Sequence, residues 1–333
     1  MLNQTLIIDT TLASLPELHP YFQDEDVTEI MVNPGGAVFV QKKGITTLQQ
    51  GVNVPEYKID TAIKNIAAHN NEGAESNDIS AIVSASFLGM RVSGALRPVA
   101  PDGSFLVIRK HMDPSRRPSI EQLIEWNSLT RQQADYLISA FTHPIDPANI
   151  LVVGGTDSGK TTFANALLQK IPRHERVITI EDAAELHITN PNSMRVVTSV
   201  NAKISARDLV KNALRWSPNR LIIGESRGDE TLDLLRAFNS GHPGSLTTIH
   251  ANGALQGLSV MELMFQMSLP ADANIPTEVS RKYIAGAIQI IVFLQCHYIP
   301  NADGGVKKER KVQQIVRLKE ELVNHEYQFE IIH

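Results

Sequence analysis

The apolar and polar positions of the chain follow one rhythm in its first third and another from Asn149 onward. The stretch VTEIMVNPGGAVFVQ (27–41) alternates as strand, turn and strand, and EYKIDTAIKNIAAHN (56–70) places apolar residues at helical spacing. The runs GMRVSGALRPV and SFLVIRK, separated by a Pro-Asp-Gly turn, predict a hairpin. This mixture predicts an N-terminal α+β domain over residues 1–112.

The later part alternates short apolar runs with helical patterns. NILVVGG, RVITIED, RLIIGES and SLTTIHA predict strands, whereas TTFANALLQKI, ETLDLLRAFNSG and GALQGLSVMELMFQMS predict helices between them. Strands that alternate with helices favour a mostly parallel sheet covered by helices. The polar segment DPSRRPS (113–119) is interpreted as a linker, and a helical stretch is predicted from about Ile120 to Phe141. The chain is therefore predicted to be α/β, with a second domain over residues 120–333.

Composition limits the function classes. The formal net charge of −5 disfavours a chain whose main task is to bind nucleic acid, and the run KKER (307–310) is interpreted as a solvated loop. The single cysteine, Cys296, excludes an intrachain disulfide or a cysteine-based metal site, and it is expected to be a small buried residue. The longest apolar stretch, YIAGAIQIIVFL (283–294), is shorter than the ~20 residues of a membrane span and predicts a buried strand. The first residues have no basic start followed by a long apolar core, so no secretory signal is expected.

The stretch GGTDSGKTT (154–162) follows a predicted strand, precedes a predicted helix and has the outline of a phosphate-binding loop. Its glycines allow close approach of the backbone to phosphates, Lys160 supplies a charge for the β- and γ-phosphates, and Thr161 offers a hydroxyl to Mg²⁺. The acid Asp157 is unexpected in an anion cradle. We expect a positive φ there and a carboxylate that turns away from the phosphates, towards N–H groups or a neighbouring arginine. The residues predicted to bind the nucleotide are Gly154, Gly155, Thr156, Asp157, Ser158, Gly159, Lys160, Thr161 and Thr162.

Acids and a histidine follow the other predicted strands. Glu225 ends RLIIGE and is the candidate for activating water, with Gly224 where such proteins often have a magnesium-binding aspartate. Glu181 and Asp182 follow RVITIE, and with Thr161 they are candidates for the Mg²⁺ site. His250 ends a strand at the same predicted edge of the sheet, so a role near the γ-phosphate is expected.

The four stretches GGTDSGKTT, ITIEDAAEL, RLIIGESRG and GHPGSLTTIHAN, in this order, resemble the traffic ATPases of bacterial secretion, most closely the TrbB-type ATPases of conjugal transfer. The resemblance implies a RecA-like P-loop NTPase domain, a hexameric ring, and ATP with Mg²⁺ held between the two domains. It also implies that Arg91 and Arg109 approach the nucleotide phosphates, and it matches Glu225 and His250 to the acid and histidine of the later motifs. Asp157 stands where the family usually has glycine. The residues Ser-Pro-Asn-Arg (217–220) replace an R-P-D-R pattern, so an ion pair there is in doubt.

The resemblance implies an enzyme that hydrolyses ATP to ADP and phosphate and so powers assembly of, or transport through, a conjugation or type IV secretion apparatus. It implies a homo-oligomer in the cytoplasm, associated peripherally with the inner membrane through other components of the machinery. A type IV pilus or type II secretion motor is the alternative, although such motors usually carry larger N-terminal regions or a cysteine-rich module. A ring scaffold that binds nucleotide with little turnover also stays open. A GTPase is disfavoured because no N-K-x-D motif occurs.

Overall fold

The computed structural model describes residues 11, 13–42, 44–69, 81–87, 90–110, 117–199, 202–270, 272–273, 275–300 and 306–333. The chain divides into two compact units, Met1–Asp113 and Pro114–His333. Residues 113–116 of the predicted linker lie outside the described part of the chain. Among the described residues, no helix has the length and apolar character that crossing a membrane requires.

A six-stranded antiparallel sheet with the order β3-β2-β1-β6-β5-β4 organises the first unit. A helix packs its apolar residues Ile59, Ile63 and Ile66 into the buried core of this unit. The side chain of Lys110 closes the end of the first helix by donating to the carbonyls of Tyr21, Phe22 and Asp24. The elements are α1 (His19–Gln23), β1 (Val27–Val32), β2 (Ala37–Lys42), β3 (Ile45–Asn53), α2 (Glu56–His69), β4 (Ile82–Phe87), β5 (Met90–Ala95) and β6 (Phe105–Arg109).

An eight-stranded sheet with the order β14-β13-β12-β7-β11-β10-β8-β9 organises the second unit. The six strands from β12 to β9 are parallel, and β13 and β14 extend the sheet as antiparallel hairpins. The strands are β7 (Ile150–Gly154), β8 (Val177–Glu181), β9 (Ser193–Val197), β10 (Arg220–Ile223), β11 (Leu246–Ile249), β12 (Ile290–Pro300), β13 (Val306–Val323) and β14 (Glu326–Ile331). The helices are α3 (Ile120–Glu125), α4 (Arg131–Phe141), α5 (Lys160–Leu168), α6 (Ala206–Ala213), α7 (Thr231–Asn239), α8 (Ala254–Met267) and α9 (Thr277–Ala287).

Both faces of this second sheet are covered by helices. Leu151 and Val153 of β7 belong to an apolar cluster with α6, α7, α8 and α9, whereas Ile150 and Val152 belong to a second cluster with α3, α4 and α5. Successive residues of a strand point to opposite faces, so this division explains why the central strands β7, β8, β10 and β11 are buried at every position. The parallel core also brings the carboxyl ends of its strands to one edge of the sheet.

Buried Arg220 anchors the opposite edge, where β10 begins. Its guanidinium forms an ion pair with Glu175 and donates to the carbonyls of Phe141 (2.7 Å) and Gly244 (3.2 Å). The neighbouring Asn219 side chain accepts a hydrogen bond from the backbone N–H of Arg176. The Ser-Pro-Asn-Arg departure from the family pattern is therefore compatible with a local ion pair.

Several sequence-based expectations are wrong in detail. The predicted helix from Ile120 to Phe141 is two helices, because Asn127 adopts a left-handed φ of 55° and Thr130 forms a capping box that starts α4. The stretch YIAGAIQIIVFL is not one strand: residues 283–287 complete α9 and residues 290–294 begin β12. Cys296 is partly exposed on β12 rather than buried. The run KKER lies within β13 and is not a loop.

Candidate active site

The loop between β7 and α5 has the backbone that a phosphate cradle requires. Gly159 caps α5 with a left-handed φ of 92°, a conformation that favours glycine. A Cβ at Gly154 would lie 2.6 Å from the carbonyl oxygen of Leu294, so only glycine fits there. The first N–H groups of α5 lack intrahelical partners and point from the helix N-terminus, where an anion is stabilised. The loop is therefore shaped for close approach of a phosphate.

Lys160 begins α5 and its side chain is buried at this loop. Its Nζ donates to the carbonyls of Gly154 (2.8 Å) and Gly155 (3.0 Å) and lies 3.2 Å from Nδ1 of His250. Burial lowers the pKa of Lys160, and the charge of Glu225 opposes that shift. The hydrogen-bond partners of this cation are neutral groups, and a phosphate would supply the negative charge that they lack. The donor set thus fits a nucleotide phosphate.

Glu225 is held by two side chains from neighbouring segments. Its Oε1 lies 2.6 Å from Nε2 of His250, and its Oε2 accepts from Nε (3.1 Å) and Nη2 (2.8 Å) of Arg227. Arg227 also forms an ion pair with Asp182, whose Oδ1 accepts from Oγ1 of Thr198 (3.0 Å). A continuous chain of polar contacts therefore runs from Asp182 through Arg227, Glu225 and His250 to Lys160.

The contacts of His250 indicate which ring nitrogen carries the proton. Burial, followed by the charge of Lys160, lowers the pKa of His250 below its ordinary value, so the ring is neutral near pH 7. An ammonium can only donate, so Nδ1 accepts from Lys160. The proton then sits on Nε2 and is donated to Glu225. His250 thereby connects the cation of the loop to the candidate catalytic carboxylate.

Glu181 ends β8 and turns into the interior. Its Oε1 accepts from the backbone N–H groups of Glu185 (2.9 Å) and Leu186 (2.7 Å), and its Oε2 is buried without a hydrogen-bond partner in the described part of the protein. Burial raises the pKa of Glu181 to about 7. A Cβ at Gly224 would lie 3.0 Å from Cγ of Glu181. A side chain at position 224 would therefore require Glu181 to shift by a few tenths of an ångström.

Asp157 has the geometry expected from the sequence. Its φ is 62°, and its carboxylate contacts Nζ of Lys308 (2.5 Å) and Nη2 of Arg310 (2.6 Å), both on β13. Nε of Arg310 also donates to the backbone carbonyl of Asp157 (2.8 Å). Burial alone would raise the pKa of the Asp157 carboxyl, but the hydrogen bonds from Lys308 and Arg310 hold it below its ordinary value. The positive φ and the arginine partner are confirmed.

The remaining predicted residues are distributed over both units. Thr161 and Thr162 lie in the first turn of α5, and Gly155, Thr156 and Ser158 lie in the loop before it. Arg91 and Arg109 are opposite each other in the β5–β6 pairing of the first unit, and their role at a phosphate stays a prediction. His242, the other histidine of the stretch GHPGSLTTIHAN, precedes β11 and contacts the carbonyl of Ala237 (3.0 Å), so the strand separates it from His250.

The described residues contain no group of three or more His, Cys, Asp or Glu side chains arranged to hold a metal. A Mg²⁺ site here would therefore use the Thr161 hydroxyl and phosphate oxygens as direct ligands. The unpartnered Oε2 of Glu181 and the Asp182 carboxylate are acids that such a metal would reach through water. The residues present fit Mg²⁺ bound together with a nucleotide, and not a metal held by protein alone.

Two functional candidates, Lys308 and Arg310, were not predicted from the sequence, and Arg227 was recognised only as one of several arginines around the Glu225 strand. Arg227 bridges Asp182 and Glu225, and its place two residues after Glu225 was the available signal. Lys308 and Arg310 were assigned to a solvated run, although the unexplained acid in the loop called for nearby cations.

Residues 62–313 match the family model described as Type II/IV secretion system protein. A conjugal transfer protein TrbB of Rhizobium radiobacter is 32% identical over 312 residues, which cover 92% of this chain and 88% of that protein. The chain belongs to the type II/IV secretion system protein family. Within that family, the type IV secretion system protein VirB11 of Bartonella quintana is 40% identical over 152 residues, covering 44% of this chain and 42% of VirB11.

The fold of this secretion-family member is shared with solved structures. The ATPase DotB of Legionella pneumophila has a TM-score of 0.61 and 18% identity, covering 88% of this chain and 78% of DotB. The predicted fold class, an N-terminal α+β domain followed by a RecA-like domain with a mostly parallel sheet, is confirmed. The family assignment and the predicted class of activity, a traffic ATPase of secretion and conjugation systems, are confirmed at the level of the family.

Proposed function

We propose that this chain is a hexameric ATPase that hydrolyses ATP to power assembly of, or transport through, a bacterial conjugation or type IV secretion apparatus. The observation that carries the proposal is the contact chain from Lys160 through His250 to Glu225. It links a phosphate-binding cation to a carboxylate at the carboxyl ends of parallel strands, where ligands of such sheets bind.

In this proposal, the loop 154–162 holds the phosphates of ATP through its backbone N–H groups and the Lys160 ammonium. Glu225 accepts a proton from the water that attacks the γ-phosphorus. A carboxylate offers about four lone-pair sites for hydrogen bonds. His250 and Arg227 occupy three of these sites on Glu225, at 2.6, 2.8 and 3.1 Å. One site is left for water, and the two partners fix its direction.

Mg²⁺, when bound, would offset the charge on the β- and γ-phosphate oxygens. The Thr161 hydroxyl would be its protein ligand, and Glu181 and Asp182 would orient water around it. Arg91 and Arg109 would stabilise negative charge that develops on the phosphates, as the family resemblance implies.

The oligomer and the partners are also part of the proposal. Similarity to TrbB over most of both chains supports a place in conjugal transfer. We infer a ring of six copies, located on the cytoplasmic side of the inner membrane and attached through other components of the apparatus. A pilus or type II secretion motor is the second candidate, because the matching family model spans type II and type IV systems.

Steady-state phosphate release tests the proposed hydrolysis. Glu225→Gln should lower turnover by a factor on the order of 10² or more, because a general base is removed, and it should leave ATP binding intact. Lys160→Ala should abolish ATP binding. Glu121→Gln, which changes an exposed acid paired with Lys170 in the same unit, is the matched control. Equal rates near background for wild type and Glu225→Gln would identify a nucleotide-binding scaffold instead of an ATPase.

A further inference from the structure

The basic pair, Lys308 and Arg310, reaches the phosphate loop from a strand more than a hundred residues away in sequence. Alternation along β13 brings the two side chains to the same face. Each binds one oxygen of Asp157, at 2.5 Å from Lys308 and 2.6 Å from Arg310. Both contacts end on the single acid of the stretch GGTDSGKTT.

The basic pair also contacts the loop beyond this carboxylate. The side chain of Arg310 lies against Gly159, where an added Cβ would come 3.1 Å from its Cδ, and its Nε donates to the carbonyl of Asp157. Nζ of Lys308 also lies 5.5 Å from the ring centroid of Tyr298, a distance at which a cation–π contact stabilises the ammonium. The pair is therefore fixed in direct contact with residues on both sides of Ser158.

We propose that Lys308 and Arg310 are positioning residues of the nucleotide site, which offset the charge of Asp157 so that the loop can accept ATP. This inference rests on the proposed ATPase function. Like charges repel strongly at short range in a partly buried site, so an unpaired Asp157 would oppose the phosphates. Two cations around one acid leave this face of the loop net positive.

If the basic pair acts by offsetting the charge of Asp157, its effect on ATP binding should depend on that acid. Cations that contacted the phosphates directly would matter whether or not the acid is present. Cations that act by offsetting Asp157 lose their importance when Asp157 is neutral. Substitution of the acid in the background of the altered pair separates these two cases.

The experiment is equilibrium binding of Mg-ATP, measured by calorimetry on the full chain, together with KM and kcat for phosphate release. Lys308→Ala combined with Arg310→Ala should raise Kd and KM about tenfold or more and change kcat much less. Adding Asp157→Asn to this double variant should return Kd to within about threefold of the wild-type value. A triple variant as weak as the double variant would overturn the inference.

Conservative single substitutions keep the test decisive if the double variant does not fold. Arg310→Lys retains the positive charge and should bind ATP more tightly than Arg310→Gln; equal affinities of the two would overturn the inference. Lys311→Ala is the matched control, since Lys311 is on the same strand but pairs with Glu309. Lys160→Ala in the same assay tests the proposed function itself. Loss of binding in Lys160→Ala, with wild-type affinity in the double variant, would reject this inference alone.

Discussion

Replacing Arg220 with alanine would test whether the buried cation at the start of β10 stabilises the second unit. The side chain is 1% exposed and joins the segment before β8, the end of α4 and the turn before β11. Its guanidinium also stacks on the ring of Phe141, 4.8 Å from the centroid. Arg220→Ala would leave Glu175 without this cation and the carbonyls of Phe141 and Gly244 without this donor.

Removal of one partner of a buried ion pair lowers the free energy of unfolding by about 3–5 kcal/mol. We expect a loss of this size for Arg220→Ala. In a unit of this size, each kcal/mol lowers the melting temperature by roughly 2–4 °C. Arg220→Ala should therefore melt roughly 6–20 °C below the wild type, measured by circular dichroism and confirmed by urea unfolding. ATP affinity of the folded fraction at low temperature should change little, because Arg220 lies at the amino end of β10 and the loop 154–162 lies at the carboxyl end of β7.

Arg236→Ala is the control, because Arg236 is 57% exposed and lies 3.6 Å from Asp233 on the same helix. Arg236→Ala leaves Asp233 with its closer partner Arg207 at 2.9 Å, so loss of the longer pair with an exposed arginine should cost less than about 1 kcal/mol. If Arg220→Ala were no more destabilising than Arg236→Ala, the ion pair and the two carbonyl contacts of Arg220 would not stabilise the fold.

Two further changes test the site. His250→Ala should lower phosphate release by a factor on the order of ten or more, since Glu225 loses its Nε2 donor. Because burial and Lys160 lower the pKa of His250, the acid-side decline that His250 causes should lie below the ordinary histidine value of about 6.5, separate from any change near pH 7 that Glu181 causes. If His250→Ala kept the acid-side decline of the wild type, the assignment of that decline to His250 would be wrong. Arg109→Ala should lower turnover without changing the melting of the first unit, whereas Arg97→Ala, which removes an exposed pair with Glu56, should have little effect. Equal rates for Arg109→Ala, Arg97→Ala and the wild type would remove Arg109 from the site.

The edge of the sheet that carries the site was predictable from local pattern. A polar residue or a loop with polar residues follows each short apolar run, and parallel topology brings those ends together at one edge of the sheet. Lys160, Glu225 and His250 could therefore be assigned to one place before their contacts were known, and they are joined at 2.6 Å and 3.2 Å. The periodicity of the apolar residues was sufficient for this assignment, because short connections and right-handed crossovers leave few possible sheet topologies.

The sequence did not predict which charged side chains form ion pairs with each other. Arg227 contacts Asp182 and Glu225, yet its place two residues after Glu225 does not by itself show which acids it pairs with. The interruption between helices α3 and α4 at Asn127 was not predicted either. Apolar residues continue at helical spacing on both sides of it, whereas a single left-handed residue and a capping box decide where α4 begins.

Asp157 shows most clearly where sequence reasoning stops. Electrostatics requires a cation beside an acid in a phosphate loop, but its partners lie 151 and 153 positions further along the chain. Their approach depends on the register of β12 with β13, which shifts by one residue between Phe293 and Leu294.

A shift of one residue exchanges the two faces of a strand. On the observed face, Lys308 and Arg310 meet the loop, whereas Glu309 pairs with Lys311 on the other. Without that irregularity, β13 would turn Glu309 towards Asp157 and set two acids together beside the phosphates. The charge of the loop is therefore determined by a bulge in a distant hairpin, which no pattern within GGTDSGKTT could reveal.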